Sequence, residues 1–173
     1  WGSNGNGQCN VPTVIGPCIT VSPGFFHNAA LRSDGIVRCW GHNANGECNV
    51  PADLGPCISV SAGLSFTAAV RRDGSVAAWG GCGWGECEVP ADLGPCISIA
   101  TGAYYNVALR TDRALRCWGD NSDGQCNVPA DLGACIMAST MYRTTIALRS
   151  DGGVRAWGWN QYGQCNIPAD LGA

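Results

Sequence analysis

The chain has 173 residues, room for one domain of ordinary size, and a net charge of −3, which points away from nucleic acid or an anionic membrane surface as a partner. Charged residues are scarce, glycine is abundant, and every basic residue is an arginine. No apolar run reaches the roughly 18 residues a membrane span needs. No signal-peptide pattern is visible, and a start at Trp1 fits a processed chain or a fragment.

From the first residue onward the sequence repeats. Trp1, Trp40, Trp79, Trp118 and Trp157 stand 39 residues apart without slippage, and Gly7, Gly46, Gly85, Gly124 and Gly163 keep the same register. A fixed period of this length marks a repeat architecture. One period can be read from Cys18. The stretch "CITVS" alternates apolar and polar, predicting a half-buried strand with Ile19 and Val21 on one face and Thr20 and Ser22 on the other. A second strand, "NAALR", is followed by Ser33-Asp34-Gly35 and a third strand, "IVRCWG". Asp-Gly between apolar alternations is a hairpin signal. A three-residue loop sets Leu31 opposite Val37 and Arg32 opposite Ile36, whereas a two-residue loop would mix the faces. Gly35 is therefore expected in the left-handed conformation. Its counterpart in the third copy is Arg113, which is expected either to carry about 1 kcal/mol of strain or to turn differently. "GQCNVP" predicts a short fourth strand whose closing proline suits an edge.

Four antiparallel strands and one tryptophan per period are the signature of a propeller blade, whose apolar face only its neighbours can cover. No segment shows the 3.6-residue periodicity of a helical solenoid. The predicted fold is all-β: a β-propeller of 39-residue, four-stranded antiparallel blades forming a single repeat domain over residues 1–173. Repeats start at 1, 40, 79, 118 and 157, giving four full periods and a surplus of 17 residues. A ring closed through its ends needs a whole number of repeats, so an incomplete ring or a fragment is expected. A small closed ring of four or five blades is the alternative.

The wording "ISVSAGLSFTAAVRRDGSVAAWG" and "WGDNSDGQC" resembles the regulator of chromosome condensation repeat, with its "AL..DG.V..WG.N..GQ" pattern. The resemblance covers the whole chain and implies a β-propeller. Functions implied by the family are diverse: nucleotide exchange on a small GTPase, ultraviolet sensing, enzyme inhibition and scaffolding. The fold alone does not choose among them. The family's ultraviolet sensor keeps its tryptophans in G-W-R-H-T motifs. The matching segments here, "GFFHN", "GLSFT", "GAYYN" and "MYRTT", lack that tryptophan. Nucleotide exchange is disfavoured by the chain's length and the want of a basic tail.

The twelve cysteines fall into sets. Cys9, Cys48, Cys87 and Cys126 each precede by nine residues a cysteine that opens the next first strand: Cys18, Cys57, Cys96 and Cys135. The constant spacing predicts bridges Cys9–Cys18, Cys48–Cys57, Cys87–Cys96 and Cys126–Cys135, each adding roughly 2–3 kcal/mol. Such bridges favour an oxidising compartment, a secreted location or an organelle lumen. Buried thiols acting as small hydrophobes are the alternative. Cys39 and Cys117 stand where Ala78 and Ala156 stand in other copies and read as core. Zinc is not expected, since there is no C-x-x-C pair and only two histidines. No catalytic constellation stands out, so no enzyme and no cofactor is predicted. The repeated aspartates at 34, 73, 112 and 151 read as turn formers, with the nearby arginines as their partners.

Comparing the copies with one another separates what is fixed from what varies. Variation concentrates in the loop between strands one and two and in the loop after strand three. Antiparallel order puts both at the same end of every blade. The first loop supplies Phe25, Phe26, His27, Tyr104, Tyr105, Tyr142 and Arg143; the second supplies Trp84, Trp159 and Tyr162. Large aromatics and arginine on an exposed rim are what protein-binding hot spots use; drift in permissive loops is the bland alternative. The reading is a non-catalytic protein-binding or scaffolding propeller segment, a peripheral subunit of a larger complex. The alternatives are a carbohydrate-binding, lectin-like propeller and an enzyme-inhibitor propeller.

Overall fold

The structure, a computed structural model, describes residues 2–168 and 171. It contains twelve strands, and no helix among the described residues. They form four antiparallel three-stranded sheets. Blade one is β1 (Cys18–Pro23), β2 (His27–Arg32) and β3 (Val37–Gly41); blade two is β4 (Cys57–Ala62), β5 (Phe66–Arg71) and β6 (Val76–Gly80). Blade three is β7 (Cys96–Thr101), β8 (Tyr105–Arg110) and β9 (Leu115–Gly119); blade four is β10 (Cys135–Met141), β11 (Thr144–Arg149) and β12 (Val154–Gly158). The inner strands β1, β4, β7 and β10 follow one another around an unclosed arc. Their far ends converge on a groove of about 330 Å³ lined by Pro23, Ala62, Thr101 and Thr140.

The hairpin register is the one the apolar pattern demands. Leu31 pairs with Val37, the Arg32 amide donates to the Ile36 carbonyl at 2.9 Å, and Gly35 has φ 87°. Arg113 takes the same left-handed turn at φ 70°. Asp34, Asp73, Asp112 and Asp151 each accept the amide two residues on, at 2.9–3.1 Å. Those bonds hold the carboxyls of Asp34, Asp73 and Asp151 below the usual range.

Three expectations need correction. First, among the described residues no blade has a fourth strand. The segment after each third strand folds on itself instead: the Gly46 amide donates to the Asn43 carbonyl at 3.2 Å and the Asn49 amide to the Gly46 carbonyl at 3.0 Å. The Asn43 side chain then accepts the Cys48 amide at 2.8 Å. These local bonds consume the groups a ladder would need. Second, Ile19 and Val21 do not share a face. A bulge between Cys18 and Thr20 recurs in every first strand and shifts the alternation by one. Val60 and Ile99 are therefore buried, whereas Ile58 and Ile97 are exposed.

Third, the bridges Cys9–Cys18, Cys48–Cys57, Cys87–Cys96 and Cys126–Cys135 do not form. The eight residues between partners carry the chain from one end of a blade to the other. Cys48 Sγ lies against the His42 carbonyl, just past β3, while Cys57 lies beside the opposite turn, its amide donating to Gly35 at 2.8 Å. Among the described residues the disulfide is Cys82–Cys87; Cys9, Cys18, Cys48, Cys57, Cys96, Cys126 and Cys135 are free.

Blades pack through three apolar interfaces. Ala29, Leu31 and Val37 of blade one meet Val60, Ala62, Ala69 and Trp79 of blade two. Equivalent residues build the next two junctions around Trp118 and Trp157. Leu54, Leu93 and Leu132 of the linkers plug the hairpin end. The end blade shows what a neighbour contributes: Val21 is 65% exposed, while Val60 at the same register is 6% exposed. Covering one valine in this way is worth about 2 kcal/mol.

A polar clamp sets the spacing of the blades. The indoles of Trp40, Trp79, Trp118 and Trp157 donate to the carbonyls of Gln8, Glu47, Glu86 and Gln125 at 3.0–3.1 Å, each 32 residues back. The same four carbonyls accept a second bond, from Asn28, Thr67, Asn106 and Thr145, at 2.7–3.1 Å. Gly80 follows its tryptophan at φ 111°, and a Cβ there would lie 2.7 Å from the Ser65 carbonyl oxygen, so the sequence reads Trp-Gly each time.

Two substitutions test this framework. Arg113→Gly relieves the left-handed turn and is expected to raise unfolding free energy by about 1 kcal/mol. Trp118→Phe takes one donor from the Glu86 carbonyl and is expected to lower it by about 1–3 kcal/mol. Denaturant titration followed by circular dichroism measures both.

Candidate functional site

The loops between strands one and two, and those after strand three, emerge at one end of the arc. The Asp-Gly turns and linkers occupy the other. Main-chain bonds hold each pair of varied loops together: the His42 amide donates to the Phe26 carbonyl at 2.9 Å, Gly81 to Ser65 at 2.8 Å, Asp120 to Tyr104 at 2.9 Å and Trp159 to Arg143 at 3.0 Å. The large side chains these loops carry are thus presented from fixed backbone.

Eight of the ten expected residues form three aromatic groups on this rim. Phe25 and Phe26, both exposed, have ring centroids 6.5 Å apart, and Phe26 leans on His42 at 6.0 Å. Trp84, exposed, tilts against half-buried Tyr104 at 5.9 Å, which joins the outer loop of blade two to blade three. Trp159 stands edge-on between Tyr142 at 5.8 Å and Tyr162 at 5.3 Å, and the Arg143 guanidinium lies 5.6 Å from the centre of the Tyr142 ring. Arg143 also pairs with Asp123 at 2.6 Å, so its charge is already answered within the chain.

His27 and Tyr105 do not belong to the rim. They occupy the first position of the second strand, where alternation turns the side chain into the junction with the next blade. His27 is 1% exposed and Tyr105 is fully buried. His27 Nε2 bonds Thr67 Oγ1 at 2.8 Å, and the Tyr105 hydroxyl donates to the Thr144 carbonyl at 2.7 Å. Phe66, at the same register, has no polar atom, and Asn106 Oδ1 in the next blade is left buried without a partner. The sequence signal for this position was available: His27, Phe66, Tyr105 and Thr144 open the second-strand segments "HNAAL", "FTAAV", "YNVAL" and "TTIAL".

Sequence reasoning passed over a second set of residues. Glu47, Glu86 and Gln125 are fully buried. Each side chain folds back to accept an amide two residues earlier, at 2.8–2.9 Å, and so braces the rim loop from beneath. Burial alone would push the Glu47 carboxyl up, but the His42 bond and the loop amides outweigh it and hold Glu47 below the usual range. Gln125 Nε2 donates to Asp120 at 2.9 Å. Glu86 has Gly81 where the other loops have His42 and Asp120. Its Oε1 is buried without a partner, and burial pushes its carboxyl up. Among the described residues no group of three His, Cys, Asp or Glu side chains is placed to hold a metal ion.

Several charges at the hairpin end are paired. Arg32 pairs with Asp34 at 2.7 Å, Arg149 with Asp151 at 2.6 Å, Arg116 with Asp92 at 2.8 Å and Arg155 with Asp131 at 3.3 Å. Exposed pairs of this kind contribute little stability.

Comparison with known proteins places these repeats. The sequence profile of the regulator of chromosome condensation (RCC1) repeat matches residues 18–47, 96–125 and 142–164. No curated protein sequence gives a significant match. Among solved structures, the ectodomain of the Physcomitrella patens receptor kinase CR4 superposes with TM-score 0.77 at 24% identity, over 92% of this chain and 46% of that one. Yeast RCC1 (Prp20), in the structure of Kap60 bound to it, gives TM-score 0.72 at 20% identity, over 89% of this chain and 46% of that one. Prp20p from Saccharomyces cerevisiae, described with its binding to Gsp1p and histones, gives 0.73 at 18%, over 89% and 47%. The chain therefore spans just under half the length of these structures. It is an all-β propeller arc, and three of its segments match the regulator of chromosome condensation repeat.

The buried histidine gives a pH signature. Burial, partly opposed by Glu47, pushes the His27 pKa down from 6.5 to about 4. Between those values the unfolded chain takes a proton that the folded chain refuses. Stability is full above pH 6.5 and falls by about 3 kcal/mol as pH drops towards 4. His27→Phe, the side chain used at position 66, is expected to remove most of that slope. Denaturation midpoints at pH 7 and pH 4.5 for both proteins check it.

Proposed function

We propose that this chain of regulator of chromosome condensation repeats is a non-catalytic protein-binding scaffold whose aromatic rim is the docking surface. The observation that carries the reading is the grouping of Phe25, Phe26, Trp84, Tyr104, Tyr142, Arg143, Trp159 and Tyr162 at one end of the arc. Several of these rings are wide open, Tyr162 at 84% and Trp84 at 58% exposed. They add little to the fold where they stand, and they interrupt a repeat that is otherwise faithfully copied. Rigid backbone below and apolar rings above give the low ordering cost that binding surfaces exploit. Relatives of this fold include proteins solved with, or described as binding, protein partners: yeast RCC1 with Kap60, and Prp20p with Gsp1p and histones.

Affinity capture with the full chain as bait, followed by titration of the recovered partner, tests the reading. Alanine at Trp84, Tyr104 or Trp159 is expected to weaken binding at least tenfold, since hot-spot truncations cost about 2 kcal/mol or more. Thermal stability should barely move. Asp34→Ala and Asp73→Ala, on the hairpin end, should leave binding intact. Normal binding by the rim variants with loss in the hairpin-end variants would reverse the choice of face, and capture of glycans in place of protein would favour the lectin-like alternative.

A further inference from the structure

Four of the five outer loops are stitched in one way. The asparagine near the start of each accepts the amide of the cysteine five residues on: Asn4 from Cys9, Asn43 from Cys48, Asn121 from Cys126 and Asn160 from Cys165, all at 2.8 Å. The same asparagine donates to a second asparagine six residues on, at 2.8–3.1 Å. The loop between blades two and three abandons both bonds at once. Cys82 replaces the first asparagine and Glu88 the second, and the disulfide Cys82–Cys87 closes the same five-residue span, with Cα atoms 5.5 Å apart.

This loop has few other side-chain stitches. Gly81 removes the partner that Glu47 and Gln125 possess, and Glu86 Oε1 is left buried and unbonded. What remains is the Glu86 carboxylate bonded to the Trp84 amide at 2.8 Å and a long bond from the Ser65 hydroxyl to the Gly81 carbonyl at 3.4 Å. The loop nevertheless carries two loads. It presents Trp84 against Tyr104, and its Glu86 carbonyl receives both Trp118 and Asn106 of blade three.

We propose that Cys82–Cys87 is a reversible redox stitch that sets the order of the loop presenting Trp84. The co-reactant is a small thiol or a dithiol protein. Its thiolate attacks one sulfur of the bridge, the S–S bond breaks, and a mixed disulfide forms. A second thiol resolves that intermediate. The chain gains two electrons and two protons, ending as two thiols, and the reductant leaves as its own disulfide. A disulfide oxidant runs the exchange backwards. The reduced loop does not recover the common stitch, because a thiol at position 82 lacks the amide oxygen and nitrogen that asparagine offers.

Location and competition favour this bridge. It sits on the open rim between exposed Gly83 and Trp84 and exposed Glu88. Two cysteines at the matching place in other loops are held as thiols: burial pushes Cys48 up to about 11 and Cys126 to about 12. The consequence for partner binding rests on the rim reading above; the stitch itself does not.

The experiment uses the full chain, oxidised or treated with a dithiol. Differential alkylation should show that Cys82 and Cys87 alone change state. Hydrogen exchange of residues 82–88 should accelerate at least tenfold on reduction, while the matching loops at 43–49 and 121–127 stay unchanged. The double variant Cys82→Asn, Glu88→Asn rebuilds the common stitch and should exchange slowly with or without dithiol. Exchange in the wild type that is equally slow in both states, or recovery of Cys82 and Cys87 as thiols under an oxidising glutathione buffer, overturns the proposal. If the loop responds but partner affinity does not, the redox stitch stands and the rim reading fails at Trp84.

Discussion

A single carbonyl per repeat, bonded twice from the following blade, organises the molecule. The carbonyls of Gln8, Glu47, Glu86 and Gln125 lie in the outer loop of one repeat and receive the indole and the strand-two side chain of the next. A carbonyl has two lone pairs, and here both are filled from across a junction, so the groups that would be costly to bury become the groups that fix alignment. Apolar contact between blades is non-directional and would tolerate sliding. The clamp does not, since a small shift loses two bonds together. Tryptophan suits the position because it supplies both the buried area and the directed donor.

The clamp also explains why variation is admissible on the rim. Beneath three of the varied loops, buried Glu47, Glu86 and Gln125 brace the backbone from below and leave the outward side chains free of that duty. The second layer of junction residues is less uniform. His27 and Tyr105 each reach a threonine of the next blade, while Phe66 leaves Asn106 Oδ1 without a partner. The middle junction holds two buried atoms without a partner, Asn106 Oδ1 and Glu86 Oε1, against His27 Nδ1 at the first, and it is also the one whose outer loop is held by a covalent bridge.

Much of this was legible before any coordinates. The 39-residue register gives the blade, and the pairing of Leu31 with Val37 follows from requiring apolar residues on one face. Aligning Arg113 with Gly35 leaves a strained left-handed turn or a different one, and the turn is left-handed. What failed did so for local reasons. Strict alternation put Ile19 and Val21 together because a bulge leaves no mark in an apolar-polar pattern. "GQCNVP" read as a strand because its asparagines were not credited with capturing their own backbone. The cysteine spacing was constant because the repeat is constant, not because the sulfurs meet. His27 and Tyr105 were assigned to a loop one residue too long, and that single step exchanges rim for core. The buried Glu47 and Glu86 were invisible, since charged side chains are rarely found fully enclosed.

The linker geometry has an evolutionary corollary. Because each outer loop is bonded by the blade that follows, the packing module straddles the sequence repeat instead of coinciding with it. Recurrent bonds connect residues 20, 32 or 40 positions apart. None depends on where a repeat is deemed to begin. A genetic duplication or deletion of 39 codons, cut at any phase, therefore regenerates the same clamp, the same Trp-Gly approach and the same linker plug at the new seam. An array built this way can gain or lose blades by unequal recombination without inventing a single contact, and selection is left to edit only the rim.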